Sequence, residues 1–224
     1  MEQTSYFTDL QTLAGLLSLA ICYVIGKKLI FTRLILDKKC QHLVFGSAAC
    51  VFVLWMFRTG IYDGLNVHFL WLSALPLLLG FRWAIFSATL ALMGVTLFGK
   101  ESIDMLGVNF LLGVLAPIAL TYGFYSLTFH KLPRHIFIYI FLCAFIPGAL
   151  TIGLKMLALS GYFYLDGLYS WQVIEDNYLV LATLMLFPEA MFNGMTITLL
   201  VIYKPEWVYT FSDKLYLHKQ PPRS

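Results

Sequence analysis

The sequence predicts an all-α membrane protein, a polytopic bundle of about seven transmembrane helices in one domain over residues 1–224. Two observations carry this prediction. Of the 224 residues, 60% are hydrophobic and only 12% are charged, whereas about 25% are charged in a typical soluble domain. The apolar residues also form seven runs separated by shorter polar segments, and most runs approach the roughly 20 residues that a helix needs to cross a bilayer.

The runs predict helices in the following order. They cover 11–29, 43–57, 66–80, 83–99, 106–127, 136–156 and 179–203, with a tail over 204–224. The first run has no basic residue before it, so we expect a retained helix and not a cleaved signal peptide. The third run is short for a full crossing, and the polar, aromatic stretch 160–177 has room for a short interfacial helix.

The basic residues predict the orientation, because positive charge is retained on the cytoplasmic side. With the amino terminus outside and the tail in the cytoplasm, the outer segments hold three of the 15 basic residues, namely Arg58, Lys100 and Lys155. The inner segments hold the other twelve: Lys27, Lys28, Arg33, Lys38, Lys39, Arg82, Lys131, Arg134, Lys204, Lys214, Lys219 and Arg223. This split also accounts for the net charge of +3, so it does not indicate a nucleic-acid partner.

The sequence offers no motif that predicts an enzyme. It lacks the GxSxG and HExxH patterns and any phosphate-binding glycine loop, and its His, Ser and Asp residues are not clustered as in hydrolases. We therefore expect no catalytic activity. The four cysteines are scattered without a CxxC pair, and we expect no disulfide among Cys22, Cys40, Cys50 and Cys143.

The last apolar run carries one acid, Glu189, near its middle. An acid at mid-membrane depth costs about 2.5 to 3.5 kcal/mol on insertion scales, so it should face the bundle interior. Asn193 follows one turn later on the same helical stripe. We expect these two side chains to line a site, the alternative being a structural contact of Glu189 with Lys155 or a buried amide.

Two further polar residues lie near the predicted outer ends of helices. His68 opens the third run, and imidazole is the commonest transition-metal ligand in proteins. Asn109 lies in the fifth run, where a side-chain amide can ligate an ion or bridge helices. The alternative for His68 is an interfacial histidine bonded to backbone.

The residues around these positions resemble a known family. Gly64 to His68 forms a Gly-x-x-x-His loop that opens a Leu-rich helix ending in Leu-Leu-Gly at 78–80, and Leu106 to Asn109 reads Leu-Gly-Val-Asn. These features resemble the cobalt- and nickel-specific substrate-binding permease subunits of energy-coupling-factor (ECF) transporters. The block 188–207 is similar to a divergent proteobacterial branch of that family.

The resemblance implies a ligand set that this chain keeps only in part. In the family the ion is held by the amino terminus, by a histidine at position two and by the histidine of the Gly-x-x-x-His loop. Here the loop histidine is His68, but position two is Glu2. The expected metal residues are therefore His68, the amine of Met1 and Glu2, with the missing ligand supplied by Glu2, Glu189 or Asn193. Asn109 is expected nearby.

The resemblance also implies the function and the partners. We expect a permease subunit of the cell (inner) membrane that binds a divalent transition-metal ion, cobalt or nickel before zinc or copper. Transport would require a transmembrane coupling subunit and a pair of cytoplasmic ATPases, since the chain has no nucleotide-binding motif. An alternative is a membrane metal or cofactor chaperone with the same fold. A channel or secondary transporter is a third hypothesis, weakened by the absence of inverted repeats.

Overall fold

A computed structural model describes residues 8–216, apart from the side chains of Lys214 and Leu215. The helices in this part of the chain are α1 (Asp9–Lys27), α2 (Phe31–Leu36), α3 (Lys38–Met56), α4 (Ala74–Leu79), α5 (Phe81–Leu97), α6 (Leu106–Lys131), α7 (Ile136–Leu165), α8 (Trp171–Tyr203) and α9 (Asp213–Tyr216). A single 3₁₀ turn, Pro205–Trp207, follows α8. The all-α fold class is confirmed.

Five of these helices, α1, α3, α6, α7 and α8, are long and apolar enough to cross a membrane, and α5 is a shorter apolar helix. Since α7 continues to Leu165 and α8 begins at Trp171, the expectation of a separate interfacial helix within 160–177 is wrong. That stretch instead extends two long helices around a short turn, so both project beyond the runs predicted at 136–156 and 179–203.

The helix predicted over 66–80 is also wrong in its first half, because helix forms only at α4, Ala74–Leu79. Residues before it follow an irregular path although most of them are buried, with Leu70 and Leu72 fully inaccessible. Non-helical backbone is tolerated at membrane depth only where protein or a water-filled cavity satisfies its polar groups. The irregular segment 68–73 is therefore held by specific partners, which are described below.

Two glycines let the helices around this segment approach closely. A Cβ on Gly148 of α7 would lie 3.0 Å from the Cα of Ala190 on α8. A Cβ on Gly107 of α6 would lie 2.6 Å from the backbone nitrogen of Gly15 on α1. Small residues permit such backbone contacts between membrane helices, so α7 packs closely on α8 and α6 on α1.

Two of the long helices widen before a proline. The turns Asn109–Leu115 of α6 and Ile140–Phe145 of α7 are π-helical, and Pro117 and Pro147 follow them. Proline lacks an N–H, and its ring crowds the carbonyl one turn earlier. The wider turns relieve that crowding, and one of them begins at Asn109.

The charge distribution makes the orientation testable. We expect alkaline phosphatase fused after Ser224 to be inactive, because the enzyme folds only outside the cytoplasm and basic residues retain the tail inside. A matched insertion after Gly167, in the turn between α7 and α8, should be active. Activity of the first fusion with inactivity of the second would reverse the orientation.

Candidate metal site

The loop before the irregular segment places His68. A pair of antiparallel backbone bonds joins Thr59 and Val67, with N···O distances of 3.0 and 2.8 Å, so the chain between them forms a closed loop. Gly64 within the loop has φ +81°, and a Cβ there would lie 2.6 Å from the ring of Phe163 on α7. Only glycine tolerates both conditions, which explains the glycine of the Gly-x-x-x-His motif.

The irregular segment is held by α8. Oε2 of Glu189 accepts a hydrogen bond from the Leu70 N–H at 2.9 Å, and Oε1 accepts one from the Trp71 N–H at 2.7 Å. Asn193 Oδ1 accepts from the Ala74 N–H at 2.9 Å. Trp71 has a positive φ of 54°, an uncommon conformation that persists only where the surroundings fix it.

Glu189 and Asn193 also bind each other. The Asn193 amide donates to Glu189 Oε1 at 2.8 Å and to the Glu189 backbone carbonyl at 2.9 Å. Both side chains are fully buried. The carboxylate therefore accepts three hydrogen bonds, and charge-assisted bonds of this kind are stronger than neutral ones. This pair supplies hydrogen-bond acceptors for backbone N–H groups that would otherwise be buried without a partner.

The imidazole of His68 lies directly before this segment and is 6% exposed. Its Nδ1 is 3.1 Å from the Phe69 carbonyl oxygen, which can only accept, so Nδ1 carries the proton and Nε2 presents a lone pair. The ring packs against Trp55, with 5.4 Å between centroids. Nε2 is 2.7 Å from Nζ of Lys155 on α7, and the ammonium donates to that lone pair.

A second polar group lies beside this pair. Glu101 accepts hydrogen bonds from Arg58 and, at 2.9 Å, from the Asn109 amide. The side chains of Arg58 and Glu101 are only 7% and 16% exposed. Lys155 lies within electrostatic range of both of these charges and also of Glu189. We call His68, Lys155, Arg58, Glu101 and Asn109 the polar cluster.

The expected site residues thus fall into three sets. His68 and Asn109 belong to the polar cluster, whereas Glu189 and Asn193 support the irregular segment. Met1 and Glu2 lie outside the described residues. Among residues 8–216 no group of three or more His, Cys, Asp or Glu side chains is placed to hold a metal. His68 is therefore the strong transition-metal ligand that the described part of the cluster offers.

Sequence analysis missed three members of the cluster. It counted Arg58 and Lys155 as outer-segment charges and did not single out Glu101. In the structure Lys155 lies inside α7 and is 7% exposed. The stretch TIGLKMLALSGY contained the signal, because a lysine within an apolar run is rare and faces the interior of a bundle.

Comparison with known proteins identifies the family. The model of the CbiM family, described as the cobalt uptake substrate-specific transmembrane region, matches residues 7–207. No curated protein matches significantly. Two solved structures resemble the fold at 24% identity. A truncated transition metal transporter has a TM-score of 0.73 and covers 86% of this chain and 94% of its own.

The second, a transition metal transporter, has a TM-score of 0.72, with 85% of this chain and 87% of that chain covered. At this identity the likeness establishes a shared fold. The family match covers most of the chain, so the chain belongs to the cobalt-uptake substrate-specific transmembrane family. It is the substrate-binding component of a metal transporter and an integral, multi-pass protein of the inner membrane.

The support that Glu189 gives to the irregular segment can be tested by measuring the thermal stability of Glu189 variants. Glu189→Leu leaves the backbone donors of Leu70 and Trp71 unsatisfied, and each such group costs about 1 to 3 kcal/mol. Glu189→Gln should destabilise less, because one oxygen remains. We expect thermal unfolding in detergent to rank wild type above Gln above Leu.

A matched control is Glu206→Gln, since the Glu206 side chain is 53% exposed. This variant should melt like wild type. A Glu189→Leu protein as stable as wild type would show that the carboxylate does not hold the segment.

Proposed function

We propose that the chain captures a divalent transition-metal ion at His68 and delivers it as the substrate-binding subunit of an ECF transporter. Cobalt is the first candidate and nickel the second, ahead of zinc and copper. The observation that carries the proposal is the environment of the His68 imidazole. The ring is buried within the polar cluster, its tautomer is fixed by the Phe69 carbonyl, and Nε2 carries the lone pair that a metal requires.

The amino-terminal segment is proposed to complete the ligand set. The first described residues lie at the same end of the bundle as Asn109. Gln11 of α1 contacts Met105 just before α6, with 3.8 Å between Nε2 and Sδ, and Gly15 meets Gly107. The amine of Met1 and the carboxylate of Glu2 are proposed as further ligands because six residues separate Glu2 from α1, a span of up to about 20 Å.

Glu189 and Asn193 are proposed to act through His68 and not as direct ligands. The oxygens of Glu189 already accept from the Leu70 and Trp71 N–H groups, and Oε1 also accepts from the amide nitrogen of Asn193. The amide oxygen of Asn193 accepts from a backbone N–H of α4. A metal that used them would have to break these bonds. They instead fix the backbone that follows His68, in the way that hydrogen bonds around a metal site orient its ligands.

The proposed partners are a transmembrane coupling subunit and a pair of cytoplasmic ATPases. The family is described as the substrate-specific region of cobalt uptake. This description supports a transporter in which substrate binding and energy coupling reside in different chains. The absence of a nucleotide-binding motif from the sequence supports the same arrangement. The proposal assigns the chain no catalytic role.

Removal of the imidazole tests the site. We expect His68→Ala and His68→Gln to lose transition-metal binding, measured by mass spectrometry on protein purified without a histidine tag. The Gln variant keeps a polar group opposite Lys155, so loss of binding by a Gln variant that melts like wild type assigns the loss to the imidazole. His130→Ala, at an exposed residue on α6, should bind metal like wild type. Unchanged binding by both His68 variants would remove His68 from the site.

Partner capture tests the energy coupling. Full-length protein carrying a cleavable affinity tag should copurify from its native membrane with one membrane subunit and nucleotide-binding subunits, and the complex should hydrolyse ATP. Metal binding by a protein that never captures ATPase subunits would favour the chaperone function.

A further inference from the structure

Lys155 is the member of the polar cluster whose charge has no carboxylate in contact among the described residues. Its ammonium donates to the neutral Nε2 of His68 at 2.7 Å. Its Cε lies 3.8 Å from the position that a Cβ on Gly113 of α6 would take. A buried ammonium without a bonded anion is costly. The lysine also occupies the lone pair that a metal would use, so an ion that binds His68 has to displace it.

The carboxylates around Lys155 are already engaged. Glu101 binds Arg58 and Asn109, and Glu189 binds the irregular segment. Glu101 and Glu189 balance the charges of Lys155 and Arg58, so the polar cluster taken together with Glu189 has no net charge. A bare divalent ion would therefore add two uncompensated positive charges to a buried site, which a low-dielectric interior strongly disfavours.

The site also holds buried donors that lack a partner. Among the described residues, Nη2 of Arg58 and the hydroxyl of Tyr178 are buried without a hydrogen-bond partner. Tyr178 lies on α8, is fully inaccessible, and is within electrostatic range of Glu101. Buried polar groups without partners are rare in folded proteins and call for an explanation. Together with the ammonium of Lys155, they are suited to oxygen acceptors.

We propose that this site takes its metal as an anionic chelate, that is, a divalent ion bound to a small polycarboxylate, and not as the hydrated ion. In this complex the metal exchanges one chelator or water ligand for Nε2 of His68. The ammonium of Lys155 turns from Nε2 to a chelator carboxylate. The chelator supplies ligands that the described residues lack, since they contain no group of three metal-binding side chains. The inference rests on the proposed metal site at His68.

Double-label dialysis tests this inference on the full chain in lipid nanodiscs. The probes are radioactive nickel(II) as the hydrated ion and the same ion with one equivalent of carbon-14 citrate. We expect wild type to retain nickel and citrate in equal amounts, and to bind the complex at least about tenfold more tightly than the hydrated ion. Lys155→Met, which keeps the length of the stem, should abolish this preference. Lys100→Met, at an exposed lysine of the same end, should preserve it.

The alternative source of the carboxylate is the chain itself. If wild type binds the hydrated ion as tightly as the citrate complex and retains no citrate, the inference is overturned and the metal site remains. If that binding is lost in Glu2→Gln, the carboxylate is that of Glu2. If wild type retains nickel neither as the hydrated ion nor as the citrate complex, the metal site on which the inference rests is refuted.

Discussion

The irregular segment 68–73 depends on one constraint, namely that every buried backbone N–H within a membrane needs a partner. A helix satisfies its own groups, but this segment leaves the helical path before α4. Glu189 and Asn193 replace the missing bonds from the neighbouring helix. Without this support, the chain between the loop and α4 would lack a defined conformation, and the position of His68 would not be fixed.

The position of Glu189 in turn depends on the contact between α7 and α8. Gly148 lies against the backbone of Glu189 and Ala190, where a Cβ would come within 3.0 Å of the Glu189 carbonyl oxygen. The same helix, α7, carries Lys155 two turns later on its path toward the polar cluster. The close crossing of α7 and α8 therefore brings two functions together. It seats the acid that supports the irregular segment and aims the lysine at His68.

Most of the fold could be predicted from the sequence, because apolar runs of membrane length fix where helices form. The family resemblance located His68 and Asn109, which both belong to the polar cluster. The form of residues 66–73 could not be predicted, since HFLWLS is apolar and compatible with helix, and its irregular path depends on Glu189 more than a hundred residues away. For the same reason the sequence indicated that Glu189 is buried but not that its bonds go to backbone.

The two acids of the interior illustrate how a membrane protein separates support from binding. Both oxygens of Glu189 accept from the irregular segment, and Oε1 also accepts from Asn193, so an incoming ion would have to compete with these bonds. Glu101 is likewise committed to Arg58 and Asn109. The imidazole of His68 is left as the exchangeable group, and its present partner, Lys155, is a flexible side chain that can move. On the proposed chelate binding, the site would select its substrate through the anion that replaces the interaction with the lysine as much as through the metal itself.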